Sequence, residues 1–136
     1  MKGADDLDLE TVMEAARAAS KSAYAPYSNF RVGAAILTGG GALHAGCNVE
    51  NASYGLAICA ERNAAAAMAL ANPHDRGIDL VAIFSPDASP CFPCGACRQV
   101  LREFGCKEVL VEDGSRLRHY KFEEILPHSF GPEHLG

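Results

Sequence analysis

The sequence is short of everything that would tie it to a membrane or a nucleic acid. No apolar run approaches the ~20 residues that span a bilayer. Residues 1–10 are acidic and lack the positively charged n-region and apolar h-region of a secretion signal. Lys and Arg number 12 against 17 Asp and Glu, a net charge of −5, whereas phosphate and anionic-lipid binding draw on clustered positive charge. No internal repeat and no low-complexity linker divides the chain, so residues 1–136 read as one domain. What is present is a globular balance, 49% hydrophobic and 21% charged, enough for a core without a metal to rescue folding. Together these features predict a cytoplasmic protein that acts on a small molecule.

Six cysteines lie at 47, 59, 91, 94, 97 and 106. In a reducing compartment their spacing reads as metal or redox chemistry before disulfides. Three of them form the cluster Cys91-Phe-Pro-Cys94-Gly-Ala-Cys97.

Hydrophobic periodicity predicts an amphipathic helix over 8–23, with Asp8 as its cap. Strands are predicted over 30–37 and 42–49, joined through Gly39-Gly40-Gly41 as a hairpin. An Ala-rich helix follows at 59–71, stopped by Asn72-Pro73, and then an apolar strand at 80–85. Residues 86–93 read as loop, 94–104 as a helix ended by Gly105, 109–112 as a strand, and 116–120 as an edge strand after an Asp113-Gly114 turn. A short helix near 122–126 leads into a tail. The order αββαβαββα predicts an α/β fold in which helices sandwich one mixed sheet.

The chemistry concentrates where two of these helices begin. Cys59-Ala-Glu61 opens one and Pro93-Cys94-Gly-Ala-Cys97 opens the other. Unpaired N–H groups and the positive end of the helix dipole favour thiolates at such positions. Thiolates bind zinc, a CxxC entering a helix supplies two ligands, and a third from the neighbouring helix leaves one tetrahedral position open for water. Glu61 stands two positions from Cys59, able to reach that water without ligating the metal, and a carboxylate so placed can move its proton.

Three blocks carry a family resemblance: Tyr27-Ser-Asn-Phe-Arg-Val-Gly-Ala-Ala35, Asn48-Val-Glu-Asn-Ala-Ser-Tyr54, and Cys59-Ala-Glu-Arg62 paired with Pro93-Cys-Gly-Ala-Cys-Arg-Gln99. In this order they resemble the homotetrameric zinc-dependent cytidine deaminases, from Tyr24 to the Phe130-Gly-Pro-Glu tail. The resemblance implies a three-layer α/β/α sandwich around a five-stranded mixed sheet. It also implies hydrolytic deamination of cytidine and deoxycytidine in pyrimidine salvage, with release of ammonia. In that chemistry zinc-bound hydroxide attacks C4 of the ring while Glu61 shuttles protons. No histidine here is followed two positions later by Glu, so the implied ligands of one zinc per chain are Cys59, Cys94 and Cys97. Arg62 would offset the net −1 of three thiolates on a dication by bonding their sulfurs. Phe30 is implied to line the pyrimidine pocket, Ala60 and the Ser89–Cys91 loop to hold the base edge by their backbones, and Asn48 and Glu50 to bind the ribose. Ala52, Tyr54 and Phe130 are implied to reach sites on neighbouring chains.

Other readings stand beside these. Cys91 could close a four-cysteine structural site, although Glu61 would then have no purpose; an iron–sulfur run fails because position 101 is Leu. A deaminase of a nucleoside-like antibiotic of the blasticidin S type, or a non-catalytic zinc or dithiol module, shares parts of the pattern. Arg98 and Arg102 read as a solvated or interface face of their helix.

Overall fold

The computed structural model describes residues 6–135, with side chains from residue 9 onward; residues 1–5 of the acidic start lie outside the described residues. The elements run α1 (Asp6–Ser20), β1 (Gly33–Thr38), β2 (Leu43–Cys47), α2 (Ala60–Ala71), β3 (Ile78–Phe84), α3 (Gly95–Glu103), β4 (Glu108–Asp113), β5 (Arg116–Lys121) and α4 (Phe122–Ile125). Single 3₁₀ turns occupy Tyr54–Leu56 and Pro132–Leu135. The five strands lie in the order β2-β1-β3-β4-β5, antiparallel throughout except for the β3–β4 pair.

Strand alternation sends successive side chains to opposite faces, and the two faces bury different partners. Ala35, Leu37, Leu80, Ala82 and Leu110 pack with Leu9, Val12, Met13 and Ala16 of α1. Ala34, Ile36, Val81, Ile83, Val109 and Val111 pack with Ala60, Ala64, Ala65 and Met68 of α2 and Leu101 of α3. The sheet is therefore the middle of three layers, with α1 on one side and α2 and α3 on the other. Two glycines set the spacing. A Cβ on Gly33 would lie 2.0 Å from the Ala16 carbonyl oxygen, and one on Gly46 would lie 2.5 Å from the Ala64 amide nitrogen. Both strands thus meet helix backbone directly, and α2 is Ala-rich where β2 abuts it.

Among the boundaries that differ from the sequence reading, three stand out. Helix α1 begins at Asp6, so Asp8 lies inside it and is not the cap. It also ends at Ser20 instead of running to 23, because Tyr24 is drawn away to donate from its amide to the Asn48 carbonyl at 2.9 Å. Strand β1 starts three residues later than expected. Residues 30–32 leave the ladder because their backbone is held by side chains, which bear directly on the site. Among the described residues no helix is long and apolar enough to cross a membrane.

Candidate active site

Helices α2 and α3 begin side by side on one face of the sheet, and their first turns bring the cysteines together. Cys59 is the N-cap of α2 and Cys94 the N-cap of α3, with Cys97 three positions further on. The Cys59 and Cys94 sulfurs are 3.8 Å apart, those of Cys94 and Cys97 3.4 Å, and all three lie within 4.8 Å of one another. Ligands at ~2.3 Å around a tetrahedral ion sit about 3.8 Å from each other, so the set fits zinc in chemistry and in span. Among the described residues this trio is the one group of side chains that gathers so closely; Cys91 is not part of it.

The three thiols share their protons unequally. Cys97 donates to Cys59, and Arg62 adds its charge, holding the Cys59 thiol down at about 5. Cys97, as donor to Cys59, is pushed up. Arg62 Nη2 reaches the Cys59 sulfur at 3.6 Å and the Ala57 carbonyl at 3.4 Å. Its Nε is buried with no hydrogen-bond partner among the described residues. A half-buried guanidinium whose Nε is buried and unpaired beside sulfurs is costly in a neutral cluster and well matched to one that carries thiolate charge.

Glu61 is 4% exposed. Burial pushes its carboxyl up to about 7, with the Cys59 thiolate adding to the rise and Cys97 and Arg62 opposing it. The Cys91 thiol is pushed up to about 11 by its own burial and by the Glu61 charge.

The segment leading into Cys59 runs beside the exit of β2. Val49 and Ile58 exchange both backbone hydrogen bonds at 2.9 Å, an antiparallel pair that sets Asn48 opposite Cys59 and Glu50 opposite Ala57. Asn48 accepts from the Val32 amide at 2.9 Å and donates through Nδ2 to the Phe30 carbonyl at 2.8 Å, which is what holds residues 30–32 off the ladder. Glu50 Oε1 accepts from the Tyr27 and Ser28 amides at 3.0 and 3.2 Å, and Oε2 accepts from the Ser28 hydroxyl. Ser28 first, and then the two amides, hold the Glu50 carboxyl below the usual carboxylate range. A cavity of about 330 Å³ opens there, lined by Tyr27, Ser28, Glu50, Asn51, Tyr54 and Ala57.

This geometry belongs with known sequences. Residues 7–113 match the family model for the cytidine and deoxycytidylate deaminase zinc-binding region. The chain belongs to that family. It is 41% identical over 130 residues to the cytidine deaminase of Mycobacterium tuberculosis, covering 96% of this chain and 95% of that one. Among solved structures, the cytidine deaminase of Burkholderia pseudomallei is 44% identical with a TM-score of 0.79, over 89% of this chain and 98% of that one. The M. tuberculosis structure gives 40% and 0.78, over 93% and 99%.

Against this deaminase family the remaining residues fall into two groups. Ala60 is buried at the start of α2, and Phe30 is exposed in the segment just before β1. Ala52, Tyr54 and Phe130 face outward: Tyr54 packs only edge-on against Tyr27, with ring centroids 6.1 Å apart, and Phe130 stacks on His134 at 5.4 Å.

Of the solvated or interface face read for Arg98 and Arg102, the freely solvated part is corrected, since both bond within the chain. Arg98 donates to the Pro93 carbonyl at 2.8 Å and the Ile125 carbonyl at 2.6 Å. Arg102 bonds Ser129 Oγ at 2.8 Å and pairs with Glu133, while Gln99 donates to the Phe130 carbonyl at 2.9 Å. Helix α3 thus carries the metal-capable cysteines at one end and clamps the tail along its length. Ser28 and Asp87 were also missed. Asp87 accepts from the Arg31 amide at 2.8 Å and pairs with its guanidinium at 3.0 Å. For Ser28 a local signal existed, since a serine two positions before Phe30 is placed to accept that residue's amide. A second cavity, about 640 Å³ between Arg102, Lys107, Phe122 and His128, shares no residue with the cysteine site.

Proposed function

We infer that the chain removes the 4-amino group of cytidine and deoxycytidine by hydrolysis, one water being consumed and one ammonia released, as a step of pyrimidine salvage. The observation that carries this reading is a buried carboxylate, Glu61, two residues from one of three converging sulfurs, in a chain of the deaminase family. Cys59, Cys94 and Cys97 would hold one zinc per chain, which would supply Lewis-acid activation of water. Glu61 takes one proton of the attacking water and delivers it to N3 of the ring, then takes the second from the new C4 hydroxyl as it becomes the carbonyl and passes it to the departing amino group. Its burial keeps bulk water from the exchange. Arg62 balances the excess charge of three thiolates through the sulfurs it faces.

Phe30 lines the base pocket, and the backbones of Ala60 and the Ser89–Cys91 loop hold the base edge. Asn48 and Glu50 bind the sugar. After their bonds to the chain, Asn48 retains one N–H and Glu50 Oε2 one lone pair. That is enough to receive and orient a sugar hydroxyl. Free cytosine is therefore a very poor substrate, with kcat/KM lower than for cytidine by up to ~10⁴-fold. Comparing the two in one ammonia-release assay checks this; efficient turnover of the free base refutes the sugar assignment.

The working form is a homotetramer with shared sites. Tyr24, Val49 and Ile58 are bridge neighbours exposed on one surface, Tyr54, Leu56 and Leu70 are more than 60% exposed, and apolar surface left open on this scale supports a partner. Ala52 and Tyr54 reach the sugar site of one neighbour, and Phe130 covers the pyrimidine pocket of another. Light scattering should give roughly four times 14.4 kDa. Phe130→Ala should raise KM about fivefold, the value of one aromatic contact worth ~1 kcal/mol, and leave zinc content unchanged. An active monomer contradicts this arrangement.

A further inference from the structure

We propose that Ser28 is a positioning residue for sugar recognition, its hydroxyl fixing the Glu50 carboxylate and the Phe30 backbone at once. The proposal rests on the reading above that Glu50 meets the sugar.

Glu50 follows the end of a strand and is solvent-accessible, where a Glu side chain ordinarily samples several rotamers and loses ~1–2 kcal/mol of entropy when fixed. Here donors from a single turn restrain it. The two backbone donors, Tyr27 and Ser28, both address Oε1. A carboxylate gripped at one oxygen still swings about that point. The Ser28 hydroxyl supplies the grip on Oε2 and so sets the carboxylate plane. Its proton has no competing use among these bonds, because Ser28 Oγ already accepts the Phe30 amide at 3.0 Å and a hydroxyl has one proton to give. Asn29, at φ 59°, takes the left-handed conformation that turns the Phe30 amide back onto that oxygen. One hydroxyl therefore links the group that meets the sugar to the residue that meets the base. With Ser28 in place, Glu50 presents its free Oε2 lone pair without a rotamer search.

The test measures kcat/KM for cytidine and for 2′,3′-dideoxycytidine, which lacks the ring hydroxyls, in zinc-loaded wild type, Ser28→Ala and Ser28→Thr. Ser28→Ala should lose about tenfold on cytidine, mainly through KM, and only about twofold on the dideoxy substrate, which makes no use of Glu50 and feels only the loosened Phe30 backbone. Ser28→Thr keeps the hydroxyl and should restore discrimination. Should the alanine variant fail to fold, Ser28→Cys, near in size but a weak donor, should show the same selective loss. Equal losses on both substrates, or no loss on either, overturn the proposal. A wild-type protein that turns over both substrates alike removes Glu50 from sugar binding, and Ser28 with it; the wild-type pair alone distinguishes that failure.

Discussion

Glu61→Gln is expected to yield a folded, zinc-loaded protein whose turnover of cytidine falls by at least ~10²–10⁴-fold, the range for a general acid–base group. The substitution keeps the volume and most hydrogen-bonding capacity of a residue that is 4% exposed, so packing in the first turn of α2 survives. What is lost is the ability to take up and release a proton, and this carboxylate serves more than one proton transfer. Both kcat and kcat/KM should fall together, because the missing interaction belongs to the transition state and not to substrate binding. Steady-state kinetics with zinc analysis on the same sample checks this. Near-normal deamination would show that another group carries the proton.

Cys94→Ser is expected to abolish zinc binding, and activity with it, while the fold remains. Position 94 has two separate duties that the substitution pulls apart. As the N-cap of α3, it is served at least as well by serine, a favoured capping residue. As a metal ligand it must be a thiolate, which a hydroxyl does not replace at neutral pH. Far-ultraviolet circular dichroism should therefore be unchanged while metal analysis reads near zero. Cys91→Ser is the control: its sulfur is outside the converging group, and the variant should retain one zinc per chain. Loss of zinc from Cys91→Ser, with a four-sulfur site, would defeat the open-site reading.

The parts of this molecule legible in its sequence are those set by neighbours along the chain. The starts of α2 and α3 were readable because cysteine and proline mark them, and the end of α3 because Gly105 takes a left-handed φ of 65°. The mixed sheet between helices followed from the order of elements, and its five strands from short apolar runs bounded by turn residues. Its register did not follow, since it depends on the close approach of Gly33 to α1 and Gly46 to α2, a tertiary fit that no local pattern contains. The gathering of Cys59 with Cys94 and Cys97, across 35 residues of chain, was suggested by two helix starts and by the family resemblance.

Other roles stayed hidden for the same reason. Arg98 and Arg102 sit at i,i+4 spacing on a helix and look solvated, yet their partners are 27 and 31 residues away in the tail. Asn48 and Glu50 were visible as a polar pair on alternate positions. Their structural duty, holding residues 27–32 by side-chain bonds, depends on which backbone groups the sheet leaves unpaired, and that is known only once the sheet is built. Hence β1 began later than expected, at the residue where the Asn48 amide hands the backbone over to the ladder.

The measurement that bears most directly on the whole account is ammonia release from cytidine, followed against zinc bound per chain during titration of metal-stripped protein. Activity should rise linearly with zinc and level off at one equivalent, with uridine and ammonia formed in equal amounts. Zinc bound at one equivalent with no ammonia from cytidine would contradict the account.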